Sequence, residues 1–331
     1  MKYKIAVVTG GYTAEKNISV LSAGTVVKHL NPELFEVYLI YLYPENWYYE
    51  NESGTRFEID KNDFSISLPG EKVSFDFVYM ALHGSPAEDG KLQGYLDLLQ
   101  IPYFGSGVFE MALTFDKAAC KQMLTGKGIP MAKGISFHKT KSRTEILEAI
   151  STLQFPVFVK PNKNGSSYGV SKVAEMSLLS EAIEKAFEFD DEIIVEEFIK
   201  GRELTCGVFE GKNGYTALPA TEIISKNEFF DYKAKYLGES KEVTPAEISE
   251  TEMMEVQALS IEICKTLNLK GLARVDYIFS GSDFYFLEVN TIPGMTDESL
   301  VPQQARAAGI PLQSFLSDII LTSISGYGLG K

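Results

Sequence analysis

The chain has 331 residues, 45% of apolar and 23% of charged types, and 45 acidic against 31 basic side chains give a formal charge of −14. This is ordinary globular usage with room for two or three domains, and it excludes wholesale disorder. The acidity is spread evenly, so no basic half exists to grip a nucleic-acid backbone, and an anionic substrate must be held by a few placed cations.

The longest apolar runs, such as Ile5 to Val8 and Phe155 to Val159, span a handful of residues. A membrane span needs about 20. The charges of Met1-Lys2-Tyr3-Lys4 precede too short an apolar stretch for a signal peptide, which needs about 7–15. Cys120, Cys206 and Cys264 are odd in number and far apart. They fit a reduced cytoplasmic protein and exclude a disulfide scaffold or a Cys-based zinc site.

The elements begin with Lys4 to Thr9, a β-branched run that ends in Gly10-Gly11. Val20, Ala23, Val27 and Leu30 then recur at helical spacing and stop at Asn31-Pro32. Glu36 to Leu42 and Phe75 to Leu82 read as strands, which is βαβ logic and predicts a parallel sheet with helices on both faces. Residues 43–72 carry Pro, Asn, Gly and many charges, and read as excursions and short outer strands. Gly105-Ser106-Gly107 leads into a helix containing Lys117, where the character changes. Further strands are expected at Phe155 to Lys160, Glu192 to Phe198, Glu203 to Phe209, Arg274 to Phe279 and Phe284 to Asn290. Helices are expected at about 176–188 and 249–267, so this part is α+β. The stretch 225–245 has no clear periodicity and is long for a loop, which suggests a lid. The expected division is 1–112, 113–208 and 209–331.

Arg274-Val275-Asp276 and Glu288-Val289-Asn290 flank the turn cluster Ser280-Gly281-Ser282-Asp283. In a hairpin symmetric about Ser282, Asp276 opposes Glu288 and Arg274 opposes Asn290. Alternation then places all four side chains on one face. Two carboxylates and an amide oxygen beside one arginine suit Mg²⁺ that also touches phosphates. The alternative is a solvated charged face, but the apolar neighbours Val275, Ile278, Phe286 and Val289 imply a buried strand, where unpaired charge is costly.

Lys160-Pro161 ends a strand, and Gly165-Ser166-Ser167-Tyr168-Gly169 follows. Such a loop brings backbone N–H groups against phosphates, although no Walker A pattern occurs; an ordinary turn is the alternative. Glu196-Glu197 precedes Lys200-Gly201-Arg202-Glu203. These carboxylates suit a ribose or an adenine amine, with exposed strand-edge acids as the alternative. Glu15 suits a substrate ammonium or simply the start of a helix. Ser299 suits a small carboxylate or a helix cap. Gly10-Gly11 and Gly105-x-Gly107 depart from G-x-G-x-x-G, which argues against a Rossmann oxidoreductase.

Together these residues resemble the D-alanine–D-alanine ligases of the ATP-grasp superfamily. The resemblance runs from Thr9-Gly10-Gly11-Tyr12-Thr13-Ala14-Glu15 to Ser299-Leu300-Val301-Pro302. It takes in His83-Gly84, Glu88-Asp89-Gly90-Lys91-Leu92-Gln93-Gly94, Asp116-Lys117, Asp231-Tyr232-Lys233-Ala234-Lys235-Tyr236 and Leu287 to Thr296. It implies an N-terminal parallel-sheet α/β domain that binds substrate, then a two-lobed ATP-grasp module with a lid at about 225–245. It implies ATP-dependent joining of two D-alanines through an acyl phosphate, two Mg²⁺ ions (with Mn²⁺ as a substitute) and a homodimer.

By that resemblance Lys117 and Lys160 contact ATP phosphates. Glu196 and the Ile199 backbone line the adenine site, and Glu203 binds the ribose. Asp276, Glu288 and Asn290 hold the metal. Glu15 takes the first D-alanine's ammonium, Ser299 the second one's carboxylate, and His83 lies near the first. Arg274 and the Gly294 N–H stabilise the oxyanion. Ser166, Ser167, Lys235 and Tyr236 belong to the nucleotide, lid and substrate network, and Tyr236 argues for an amine as second nucleophile. The chain departs from the family pattern at Ala87, where glycine is usual, and at Ile292, where serine is common. The rival readings are another ATP-grasp ligase with a different acid and amine, and a nucleotide-binding module without catalysis.

Overall fold

The computed structural model describes residues 2–165, 168–225 and 240–329. Three sheets follow one another along the chain. The first contains β1 (Tyr3–Gly10), β2 (Phe35–Leu42), β3 (Trp47–Glu50), β4 (Arg56–Asp60), β5 (Ser65–Leu68), β6 (Glu71–Val73) and β7 (Phe77–Met80), in the order β6-β5-β4-β3-β2-β1-β7. Helix α1 (Lys16–His29) joins β1 to β2. Both neighbours of β1 run parallel to it. The outer strands are antiparallel. The sheet is therefore mixed rather than parallel throughout, because residues 43–72 return by short hairpins, and a hairpin can only make antiparallel pairs. β1 is buried along nearly its whole length, as a central parallel strand covered on both faces must be.

Helices α2 (Lys91–Leu98), α3 (Val108–Phe115) and α4 (Lys117–Leu124) lead to the second sheet. There β8 (Gly134–His138), β9 (Val157–Pro161), β10 (Ser171–Val173) and β11 (Glu192–Glu197) pair in the order β10-β9-β11-β8. Helices α5 (Arg143–Ile150) and α6 (Leu179–Phe187) cover it, with Ile150, Val157, Val159, Leu179 and Ile193 in their shared core.

The third sheet comprises β12 (Arg202–Gly211), β13 (Gly214–Ala217), β14 (Thr221–Ser225), β15 (Ser240–Val243), β16 (Leu272–Ser280) and β17 (Asp283–Asn290). Its order is β15-β14-β12-β16-β17, with β13 also on β12. Helix α7 (Glu250–Thr266) packs Val256, Ile263 and Cys264 on one face. Helices α8 (Leu300–Ala307) and α9 (Leu312–Gly326) end the chain. The divisions expected after residues 112 and 208 fall inside α3 and β12, and the change of sheet itself comes at 198–201. Most of the expected lid lies outside the described residues; 240–243 form β15.

The C-terminal helix positions the site from below. Phe315, Leu316, Ile319 and Ile320 of α9 share one core with Ile5 and Val7 of β1, Val26 of α1 and Phe209 of β12. Tyr3 also donates to the Leu329 carbonyl at 3.0 Å. The first and third sheets are thus held in one packing unit, with α1 facing the hairpin β16–β17 across a cleft. Among the described residues no single helix is long and apolar enough to cross a membrane.

Candidate active site

The floor of the cleft is the β16–β17 hairpin. Arg274 pairs with Asn290 and Asp276 with Glu288, the partners expected from the sequence. The route to that register is different. The turn has two residues, Gly281 and Ser282, closed by the pair Ser280–Asp283, with Gly281 in the left-handed region at φ 65°. Tyr277 opposes Phe286, while its neighbour Asp276 opposes Glu288, so Leu287 is an extra residue with no partner. This bulge resets the alternation. Phe284 and Phe286 point into the α7 core, and so does Val289. Strict alternation from Phe286 would have sent Glu288 into that core. Instead Glu288 and Asn290 line the cleft.

Asp276 is buried, at 7% exposure, and its carboxylate is fully engaged. Arg274 grips it with Nε to Oδ1 at 2.8 Å and a terminal nitrogen to Oδ2 at 2.7 Å. Asn290 donates its amide nitrogen to Oδ2 at 3.0 Å, and Thr205 on β12 donates to Oδ1 at 2.5 Å. Lys117 lies 3.5 Å from Glu288 and donates to the Asn164 carbonyl at 2.8 Å. Its helix starts where it does because Asp116 caps it, accepting from the Ala119 N–H at 2.9 Å. Asn162 ties that cap to the loop after β9, donating to Asp116 at 2.7 Å.

The opposite wall comes from α1 and the loops after β7 and β17. Glu15 occupies the helix N-cap, yet its side chain makes no capping bond. Its carboxylate lies over Gly165, where a Cβ would stand 3.0 Å from Oε2. Ser299 begins α8 without capping it; its hydroxyl accepts from the Thr296 N–H at 3.0 Å and meets the Thr296 hydroxyl at 2.7 Å. Both side chains are therefore aimed away from the helix-end role that their positions allowed.

His83 is buried, with Nε2 3.3 Å from the Ser22 hydroxyl and its backbone N–H donating to Ser19 Oγ. Ser22 also accepts from the Met295 N–H at 3.2 Å, so two buried serines of α1 set both His83 and the loop before Ser299. Burial pushes the His83 pKa down, against the pull of Glu15, and favours the neutral imidazole. Glu88 accepts from the Gly84 N–H at 3.0 Å. Burial, and then the charge of Glu15, push its carboxyl up to about 8, towards the protonated form.

Many of these groups line one cleft of about 690 Å³. Of the residues singled out in the sequence, Glu15, His83, Lys117, Arg274, Glu288, Asn290, Gly294 and Ser299 line it. Ile292 lines it as well, whereas Ala87 is fully buried. Lys160, Glu196, Ile199 and Glu203 lie apart, along the seam where the second sheet gives way to the third. Lys160 reaches Glu196 at 2.6 Å. Glu203 shares a sheet face with Thr205, and hence with Asp276. Ser166, Ser167, Lys235 and Tyr236 lie outside the described residues.

Sequence reasoning gave no role of their own to Thr205, Glu88, Glu242 and Lys121, although Glu88 stood in a quoted motif and Glu242 in the expected lid. Glu242 lines the cleft and accepts from Gln303 at 2.5 Å. Lys121 stands one helical turn after Lys117 and also contacts Glu196. The i,i+4 spacing of the two lysines was a usable signal; the others depend on strands brought together from distant parts of the chain.

Two family models match. One described as the D-ala D-ala ligase N-terminus covers residues 4–106, and one described as the D-ala D-ala ligase C-terminus covers 123–321. The chain is 43% identical over 321 residues to the D-alanine–D-alanine ligase of Phocaeicola vulgatus, covering 97% of this chain and 99% of that one. Among solved structures it is similar to the VanG D-Ala:D-Ser ligase from Enterococcus faecalis, with a TM-score of 0.88, 31% identity, and coverage of 98% of this chain and 100% of that one. It is also similar to the D-alanine–D-alanine ligase from Bacillus anthracis complexed with ATP, with a TM-score of 0.78, 31% identity, and coverage of 98% and 99%. With both halves of the chain matched and a relative at this identity over its full length, the chain belongs to the D-alanine–D-alanine ligase family.

Proposed function

We propose how the cleft carries out the family reaction, the ATP-dependent joining of two D-alanines for peptidoglycan synthesis. A carboxylate does not acylate an amine at neutral pH without activation. The first D-alanine's carboxylate attacks the γ-phosphate of ATP, giving an acyl phosphate and ADP. The second D-alanine's amine then attacks that carbonyl and expels phosphate.

The observation that carries this reading is the meeting of opposite chemistries in the cleft and along the seam of the second and third sheets. Glu15 on α1 takes the first ammonium, beside a neutral His83. Lys117 and Lys160 take the phosphates, with Glu196, the Ile199 backbone and Glu203 along the nucleotide seam. Ser299 holds the second carboxylate. Arg274 and the Gly294 N–H face the charge that develops on the carbonyl oxygen. Ser166, Ser167, Lys235 and Tyr236 complete the nucleotide and substrate network in this proposal. Closing the cleft protects the acyl phosphate from water.

Asp276, Glu288 and Asn290 fit a divalent cation: two carboxylates and an amide on one sheet face form a hard-oxygen set that suits Mg²⁺ or Mn²⁺. Bound there, the two ions of the proposal would neutralise the transferring phosphoryl group. Asn290 turns its amide nitrogen, and Arg274 its guanidinium fork, to Asp276, so holding a cation there calls for the opposite amide face and for Arg274 to release a carboxylate oxygen. A cytoplasmic homodimer completes the proposal; the three cysteines, all buried and free, suit a reducing compartment.

The test is phosphate release from ATP in the presence of D-alanine, with the dipeptide identified by mass. D-serine, D-lactate and other amino acids form the comparison panel. Release that depends on another acid or amine, and not on D-alanine, overturns the substrate assignment.

A further inference from the structure

Three charged side chains are buried together beside the seam between the second and third sheets. Lys160 of β9 lies 2.6 Å from Glu196 Oε2, and Lys121 of α4 donates to Glu196 Oε1. Their side chains are 14%, 12% and 6% exposed for Lys160, Lys121 and Glu196. Two ammonium groups on one carboxylate leave a positive charge in excess inside the protein, which is costly without an anion. Burial opposes ionisation of Glu196, yet Lys121 and then Lys160 hold its carboxyl down at about 2. Lys121 is the more weakly held cation, because burial and repulsion from Lys160 outweigh the pull of Glu196 and push its pKa down. Burial opposes the charge on Lys160 as well, but Glu196 and Glu288 outweigh it and Lys160 moves up.

We propose that Lys121 is a positioning residue for ATP: it is the standing counter-ion of Glu196, which lets Lys160 turn to the phosphates. This rests on the reading that places phosphates on Lys160 and adenine at Glu196. If Lys160 were the carboxylate's only partner, its departure would strand a buried anion at the place where the adenine must bind. With Lys121 in place, Glu196 keeps one cation and stays ionised to accept from an exocyclic amine. The spare positive charge moves from the protein interior to the nucleotide. Lys121 does this without touching the ligand, from the same helix that presents Lys117.

The test is a double-mutant cycle with Lys121→Met and Glu196→Gln, read as KM for ATP, KM for D-alanine, kcat and melting temperature. Lys121→Met raises the ATP KM by roughly ten- to a hundredfold, while kcat and the D-alanine KM stay within about twofold. In the Glu196→Gln background no counter-ion is needed, so Lys121→Met adds nothing further. Lys121→Arg, which keeps the charge, restores the ATP KM. The proposal is overturned if folded Lys121→Met has an unchanged ATP KM, or if it costs the same factor in both backgrounds. Should Lys121→Met fail to fold, Lys121→Gln takes its place under the same criteria. Lys160→Met separates the two layers: an unchanged ATP KM there removes the underlying nucleotide placement. A raised one beside an indifferent Lys121→Met removes only the role of Lys121.

Discussion

Two glutamates on opposite sides of the site, Glu196 buried and Glu88 largely so, have been moved in opposite directions. Glu88, on the α1 side, has its carboxyl pushed up to about 8, whereas Glu196, on the seam, is held down at about 2. Both lose water on burial, and that loss alone raises each of them. The difference lies in the neighbours. Glu88 faces another acid, Glu15, offset only in part by the Gly84 N–H and by Lys117. Glu196 sits between two lysines, and Asp276 sits in the fork of Arg274. One side of the site carries acid in excess and suits an ammonium. The other carries pinned acids with cations in excess and suits a polyphosphate.

The sharpest way to break this contrast is to move the hairpin register. Inserting one alanine after Leu287 takes Glu288 and Asn290 out of the register that pairs them with Asp276 and Arg274, and should abolish ATP turnover. Deleting Leu287 removes the bulge but keeps both residues on the cleft face, so measurable turnover should survive. If the insertion retains activity, the hairpin does not carry the chemistry. Next in size is Arg274→Met, for which turnover at saturating substrates should fall by about 10²–10³. A loss of less than about tenfold would remove Arg274 from the oxyanion role.

On the other side, Ser299→Ala loses one hydrogen bond of about 1–1.5 kcal/mol. The D-alanine KM of the second site should rise about tenfold, with the ATP KM unmoved; a parallel rise in both would point to a general loosening of the loop. The last effect is on stability rather than turnover. Glu88 binds its proton more tightly when folded than its ordinary value of 4.5 allows when unfolded. Its contribution is therefore fully present below 4.5 and is lost as pH rises towards about 8, by at most about 1.4 kcal/mol per pH unit. Glu88→Gln should flatten the fall in melting temperature across that window. A profile identical to that of the parent chain would show that Glu88 does not hold the proton.

Much of the fold was legible in residue patterns. The β-branched run of β1, the helical spacing of α1 and the acid–amide spacing of the hairpin are local signals, and the structure carries them at the expected places. The antiparallel extension of the first sheet was less visible, because short polar segments give little periodicity. The bulge at Leu287 was not visible, because a turn centred on Ser282 and a two-residue turn with one extra residue lead to the same partners at Asp276. The C-terminal helix was passed over too; its importance lies in joining α1 to β12, a contact that no local window contains.

The sequence by itself determined which chemical groups this protein owns and their order along the chain: the acid–amide hairpin, the lysines at 117 and 160, Glu15 and Ser299. It could do so because residue type sets donor, acceptor and charge. Only the tertiary structure decided what each group became. Burial and neighbours from distant elements favoured the protonated form of Glu88 and kept Glu196 ionised. They tied Asp276 to Thr205 and turned Ser299 away from its helix. The same carboxyl group answers to its local dielectric and to charges a few ångströms off, and those are properties of the packed fold.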